Sequence, residues 1–117
     1  MSDRELLEAA AKAAGIELVW GGIYYIGPDE VDCTDVPYKK SIDTDVSDEY
    51  WNPLTDDGDA LRLAVKLRLM VHISGVLVDG VHVQSEHGAA KELYGNDPYA
   101  ATRRAITCAA AAIGGAL

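Results

Sequence analysis

The chain has no phenylalanine, two cysteines and only ten lysines and arginines among its 117 residues, and each shortage removes a class of reading. Cys33 and Cys108 lie far apart and are too few for a disulfide framework, so both are expected as free thiols in a reducing compartment. Ten basic residues against nineteen acidic ones leave a formal charge of −9, which opposes nonspecific attraction to nucleic-acid phosphates and to anionic membranes. No apolar run approaches the roughly eighteen residues of a membrane span, and the N-terminus lacks the basic and apolar regions of a signal peptide. A cytoplasmic protein is expected. Metal-ligand spacing is missing too: there is no CxxC or HxxxH, and the run from Asp43 to Glu49 departs from a calcium loop at Ser47 and Asp48. Gly21-Gly22 leads into neither a helix nor a lysine, as a phosphate-cradling loop would. Neither cysteine sits in the electropositive setting that activates a thiol. The expectation is a non-enzymatic protein without metal or cofactor.

What is present describes one folded unit. Apolar residues at 49% and charged residues at 25% are ordinary for a globular chain, and a single domain over 1–117 buries roughly two-thirds of its unfolded surface. The stretch Trp51 to Leu69 organises the rest, with an aromatic strand end, a Pro turn, an acidic cap and an amphipathic helix in succession. Thr55, Asp56 and Asp57 suit the exposed amides and positive end of a helix starting near Asp56. Ala60, Leu61, Leu63, Ala64 and Leu67 then share the packing face, and Asp59, Arg62 and Lys66 face water.

Around this helix the other elements follow in order. Ser2 and Glu5 have capping-box spacing ahead of a first helix that Gly15 ends. Ile16 to Trp20 and Ile23 to Ile26 read as a hairpin turned by Gly21-Gly22. From Gly27 to Glu49, eight acids and two lysines with little periodicity predict a long acidic loop, either a mobile insertion or a lid whose Tyr38, Lys39 and Lys40 meet a ligand. Leu69 to Ser74 and Val76 to Gln84 form a second hairpin with its turn at Asp79-Gly80. A bulge at Ser74-Gly75 would gather Val71, Ile73, Val76, Val78, Val81 and Val83 on one face, leaving Met70, His72, Leu77, His82 and Gln84 on the other. Asp97 and Pro98 open a last helix that Gly114-Gly115 stops after Ile113. The result is an α+β fold in α-ββ-α-ββ-α order, an antiparallel sheet of about four strands packed with three helices.

Binding is the chemistry that remains. Trp20, Tyr24, Tyr25, Tyr50 and Trp51 offer flat surfaces for a base, and Arg62, Lys66, Arg68, Arg103 and Arg104 are candidate phosphate partners. The plain alternative is that the aromatics are core or dimer contacts and the cations are solvated. Arg68 stands out at the edge of the apolar arc of its helix. His72 and His82 read as surface histidines sharing a sheet face.

At Trp51 to Leu69, and again at Asn96 to Gly114 with its Asp-Pro and Ala-Thr-Arg-Arg pattern, the chain resembles a family of small phage and prophage proteins described as a phage α-β-α sandwich domain. More remotely it is similar to the NinX-type proteins of lambdoid phages. The family supplies no catalytic residue to carry over. The resemblance implies a homo-oligomeric counter-defence protein of the infected cytoplasm, a sponge that sequesters a nucleotide-derived immune signal, a cyclic nucleotide or an ADP-ribose derivative, without cleaving it. On this reading Trp20, Tyr25, Tyr50, Trp51, Asn52, Arg68, Arg103 and Arg104 bind the ligand. The second expectation is an acidic DNA mimic or an inhibitor that binds a host defence protein; the third is a hydrolase of the same signal using His72 and His82.

Overall fold

The structure, a computed structural model, describes residues 2–41, 48–75, 80–86 and 88–116. Its elements are α1 (Asp3–Ala14), β1 (Leu18–Trp20), β2 (Ile23–Ile26), β3 (Asp29–Asp32), β4 (Pro37–Lys39), β5 (Glu49–Tyr50), α2 (Asp57–Lys66), β6 (Met70–Ser74), β7 (Gly80–Ser85), β8 (Gly88–Leu93) and α3 (Pro98–Ala116). The class is α+β and, among the described residues, all strand pairing is antiparallel, but eight strands form three separate sheets in place of one sheet of four: β1-β4-β5, the ribbon β2-β3, and β6-β7-β8.

The helix starts are where local chemistry places them. Ser2 Oγ accepts the Glu5 amide at 3.2 Å, and Gly15 takes the left-handed φ of +70° that ends α1. Asp56 Oδ1 accepts the amides of Gly58 and Asp59, and Asp97 Oδ1 those of Tyr99 and Ala100. Helix α2 ends in a Schellman arrangement, with Leu69 N donating to Ala64 O and Arg68 N to Val65 O. The left-handed residue this motif needs is Arg68 at φ 53°, a place where glycine is the low-cost choice.

The first predicted hairpin does not form. β1 pairs with β4, and β2 pairs with β3 across Gly27-Pro28, where Gly27 supplies a positive φ of +62°. Gly21-Gly22 is instead the neck of the β2–β3 arm: a Cβ on Gly21 would overlap the Cys33 carbonyl, and Cys33 N donates to Gly22 O. The predicted loop 27–49 therefore holds β3 and β4 and reaches into β5, because the partners Ile23–Ile26 and Leu18–Trp20 outweigh the poor strand propensity of the acids. Asp43 and Asp45 lie outside the described residues, as do Val76, Leu77, Val78 and Asp79 of the second hairpin. The rest of that hairpin keeps the expected faces, with Val71 opposite Val83 and Ile73 opposite Val81. Strand β8 was not expected; Ala89-Ala90-Lys91-Glu92-Leu93 has helical composition and becomes a strand by pairing with β7.

Helix α3 lies on β7 and β8 and packs against α1 and α2. The core joins Leu7, Ala10, Ala11, Ala14, Trp51, Leu63, Val81, Val83, Ala105, Ile106, Ala109 and Ala110. Two residues of α2 depart from the expected faces: Leu61 is exposed, while Asp59 is 5% exposed and belongs to the buried side. Gly114 and Gly115 do not stop α3 but continue it. At Gly114 the backbone of α1 approaches closely, for a Cβ there would overlap the Ala9 carbonyl oxygen, whereas one on Gly115 meets nothing. No helix among the described residues is long and apolar enough to cross a membrane.

This difference between neighbours gives a direct test by urea denaturation. Gly114→Ala is expected to lower stability by about 1–3 kcal/mol through overpacking, and Gly115→Ala to leave it unchanged or raise it by up to ~1 kcal/mol through helix propensity. Equal effects at the two positions would contradict the α1–α3 packing.

Candidate functional site

Most of the predicted ligand side chains are engaged within the protein. Trp51 is 4% exposed in the core and Pro53 is fully buried beside it in sequence. Asn52 folds the turn between them and α2: its Oδ1 accepts Leu54 N at 2.9 Å, and its own amide donates to Asp59 Oδ2 at 3.0 Å. Trp20 donates its indole N–H to Glu8 at 3.2 Å and carries the Arg4 guanidinium 4.2 Å from its ring centre. Tyr50 stacks edge-on with Tyr38 at 6.3 Å and its hydroxyl meets Thr55 Oγ1 at 3.0 Å.

The paired arginines of α3 are clamps. Arg103, with its side chain 17% exposed, donates Nε to the Leu54 carbonyl and pairs with Asp57 at 2.7 Å, binding α3 to the start of α2. Arg104 reaches Asp3 at 3.2 Å and Glu92 at 3.7 Å, joining α3 to α1 and β8. The hydrogen bond to Asp3 raises its pKa. Tyr25, 70% exposed on β2, and Arg68, exposed and without a side-chain partner among the described residues, stand apart from these and from each other's element. The structure thus does not gather the eight residues into one place.

It does gather others. Between the C-terminal ends of α1 and α2 and strand β4 lies a groove of about 1130 Å³. Ile16, Trp51 and Leu63 supply apolar lining, and Lys39, Lys40, Arg62 and Lys66 supply four cations against Glu17, Asp48 and Glu49. Strand alternation puts Lys39 across from Glu49, with their side chains 3.3 Å apart, and Tyr38 on the other face against Tyr50. Lys40 extends the ladder through its amide to Glu17 O and reaches the Glu17 carboxylate at 3.5 Å. Arg62 and Lys66, one helical turn apart, present their charges on one side of α2. Asp59 holds Arg62 at 2.7 Å and raises its pKa, so the guanidinium stays charged at every working pH. Lys66 has no partner among the described residues.

The arrangement is suited to ion pairing. The Lys39–Glu49 and Lys40–Glu17 pairs are exposed, and such pairs contribute about 0–1 kcal/mol, so a multiply charged anion can take either lysine from its carboxylate at small cost. Among the described residues the lining contains no histidine or cysteine, and none form a metal-holding group of three. His72 and His82 lie directly opposite each other on β6 and β7, with Lys91 next in the row, on the face turned away from buried Val81 and Val83. Cys108 is half-buried, and burial pushes its thiol pKa up. Sequence reasoning named Arg62, Lys66, Lys39 and Lys40 separately; their convergence carries no local signal. Comparison with protein-family models, curated proteins and solved structures finds no match to the chain.

Two outcomes follow for these side chains. Asp59→Ala removes the acceptor of a part-buried amide and is expected to destabilise by about 2–3 kcal/mol, with Asp59→Asn costing less, by thermal denaturation. Alkylation of Cys108 by iodoacetamide at pH 8 is expected to be slower than that of a free peptide cysteine and to rise as pH increases, since the raised pKa leaves less thiolate at pH 8. A rate equal to the peptide's would contradict the burial of the thiol.

Proposed function

We propose that the protein is a non-enzymatic binding protein for a small nucleotide-derived anion, held in the groove between α1, β4 and α2. The observation that carries this reading is the collection of Lys39, Lys40, Arg62 and Lys66 around one apolar-floored groove in a chain of net charge −9 with ten basic residues in all. A strongly acidic surface disfavours phosphates unless cations converge locally, and here they do. Trp51, Ile16 and Leu63 provide the apolar contact that a base or sugar needs, while the lysines and Arg62 bind phosphate oxygens. Sequestration of an immune signal in an infected cytoplasm, as the resemblance to small phage proteins implies, is the role this reading gives the groove.

A second reading, an inhibitor that binds a host protein, is favoured by one observation: the β2–β3 arm exposes Ile23, Tyr24, Tyr25 and Ile26 beside Asp29, Glu30 and Asp32.

Calorimetric titration with cyclic dinucleotides, cyclic trinucleotides and ADP-ribose derivatives tests the first reading. At least one is expected to bind without turnover, and Lys66→Glu or the pair Lys39→Glu and Lys40→Glu to weaken it by about tenfold or more each with the fold intact. Affinity unchanged in both variants would place the ligand elsewhere, and no binding by any of them would reject the groove as a nucleotide site.

A further inference from the structure

The open face of the β6-β7-β8 sheet carries a set of donor side chains that the basic groove does not use. Helix α3 covers the face on which Val81 and Val83 are buried, and strand alternation turns Met70, His72, His82, Gln84 and Lys91 to the other. His72 stands directly opposite His82 in the register. Opposed residues of an antiparallel pair hold their Cβ atoms about 4.5–5.5 Å apart, close enough for two imidazoles to meet one ion. Met70, 67% exposed, lies two residues before His72 on the same strand and diagonal to His82, within reach of its long, flexible thioether.

The donor types restrict what such a site can hold. Neither imidazole has a hydrogen-bond or ion-pair partner among the described residues. The one carboxylate within β6, β7 and β8 is Glu92, which belongs to the helix-facing side and meets Arg104 at 3.7 Å. In a chain with nineteen acids this face therefore offers nitrogen and sulfur without carboxylate oxygen, which suits a soft ion and not calcium or magnesium. Zinc centres draw three or four ligands from His, Cys, Asp and Glu, and no such group of three occurs among the described residues. Lys91, opposite His82 on β8, sets a positive charge beside the pair that opposes a divalent ion twice as strongly as a monovalent one.

We propose that His72, His82 and Met70 bind one copper(I) ion on the open face of the sheet, two neutral imidazoles and a thioether completing a three-donor set. A soft monovalent ion matches these donors and bears the neighbouring Lys91 at the lowest electrostatic cost. Because β6 is an edge strand of its sheet, paired with β7 alone, an ion held by His72 and His82 also ties that edge to the strand beside it. An ion that binds the folded chain and not the unfolded one adds to stability by mass action. The site does not depend on what the basic groove binds.

Anaerobic titration with the acetonitrile complex of copper(I), in competition with a coloured copper(I) chelator, tests this. The full chain carries Cys33→Ser and Cys108→Ser, which removes the two thiols that would compete for the ion. One equivalent is expected to bind and to shift the imidazole nitrogen resonances of His72 and His82. Adding His72→Ala or His82→Ala should lower the affinity about a hundredfold or more, and Met70→Leu, which keeps the apolar bulk, about tenfold. None of the three positions is buried, so circular dichroism should be unchanged. Zinc(II) at the same concentration should raise the melting temperature less than copper(I) does. A chain that takes up no copper(I), an affinity indifferent to the histidine changes or to Met70→Leu, or an equal response to zinc(II) would overturn the proposal.

Discussion

The close approach of α1 and α3 is the constraint on which the other contacts rest. Alanines on both helices and Gly114 against Ala9 bring the two backbones together, and α3 then lies between α1, α2 and the β7–β8 surface. Alanines and Gly114 make this contact small-sided, while Leu7, Trp51, Leu63 and Ile106 fill the core around it. A small-sided contact has little room for bulky groups. With no phenylalanine and with alanine filling the helix interfaces, the large apolar residues Tyr25, Ile26, Leu61, Ile73 and Tyr99 are left outside. The packing of the interior and the apolar character of the surface are thus one fact seen from two sides.

The same economy governs the charges. Arg103 and Arg104 use their guanidinium groups to fasten α3 to α2, α1 and β8, and Asp59 fastens the Asn52 turn to its own helix. These side chains are the ones a sequence would offer to a ligand, and they are occupied by the fold. The cations that line the groove are Lys39 and Lys40 at the end of β4 and Arg62 and Lys66 on one side of α2. The ion pairs of Lys39 and Lys40 are exposed and weak, whereas Arg62 is held by the buried Asp59.

What could be read from sequence was what is local. Ser2, Asp56 and Asp97 cap their helices by contacts within three residues, and the capping spacing alone predicts them. The glycines were harder because the same residue type serves four purposes here: Gly15 ends a helix, Gly27 turns a hairpin, Gly21 permits a crossing, and Gly114 permits a helix contact. A two-residue glycine signal does not say which. Strand β8 and the burial of Asp59 depend on partners distant in sequence or on the turn before the helix, and neither composition nor period contains them. The groove was legible only as separate candidates, Lys39 and Lys40 in one segment and Arg62 and Lys66 in another. Trp51 reads from sequence as a ligand-stacking surface, and the turn through Asn52 and Pro53 buries it in the core.

The central claim is that an acidic protein concentrates its few cations to hold a nucleotide-derived anion. The most direct measurement is mass spectrometry of the small molecules released by denaturing protein recovered from lysate of cells making defence signals. The account predicts an intact, phosphate-bearing nucleotide in stoichiometric amount. A protein that releases no anion, or one that returns the nucleotide cleaved, would contradict it.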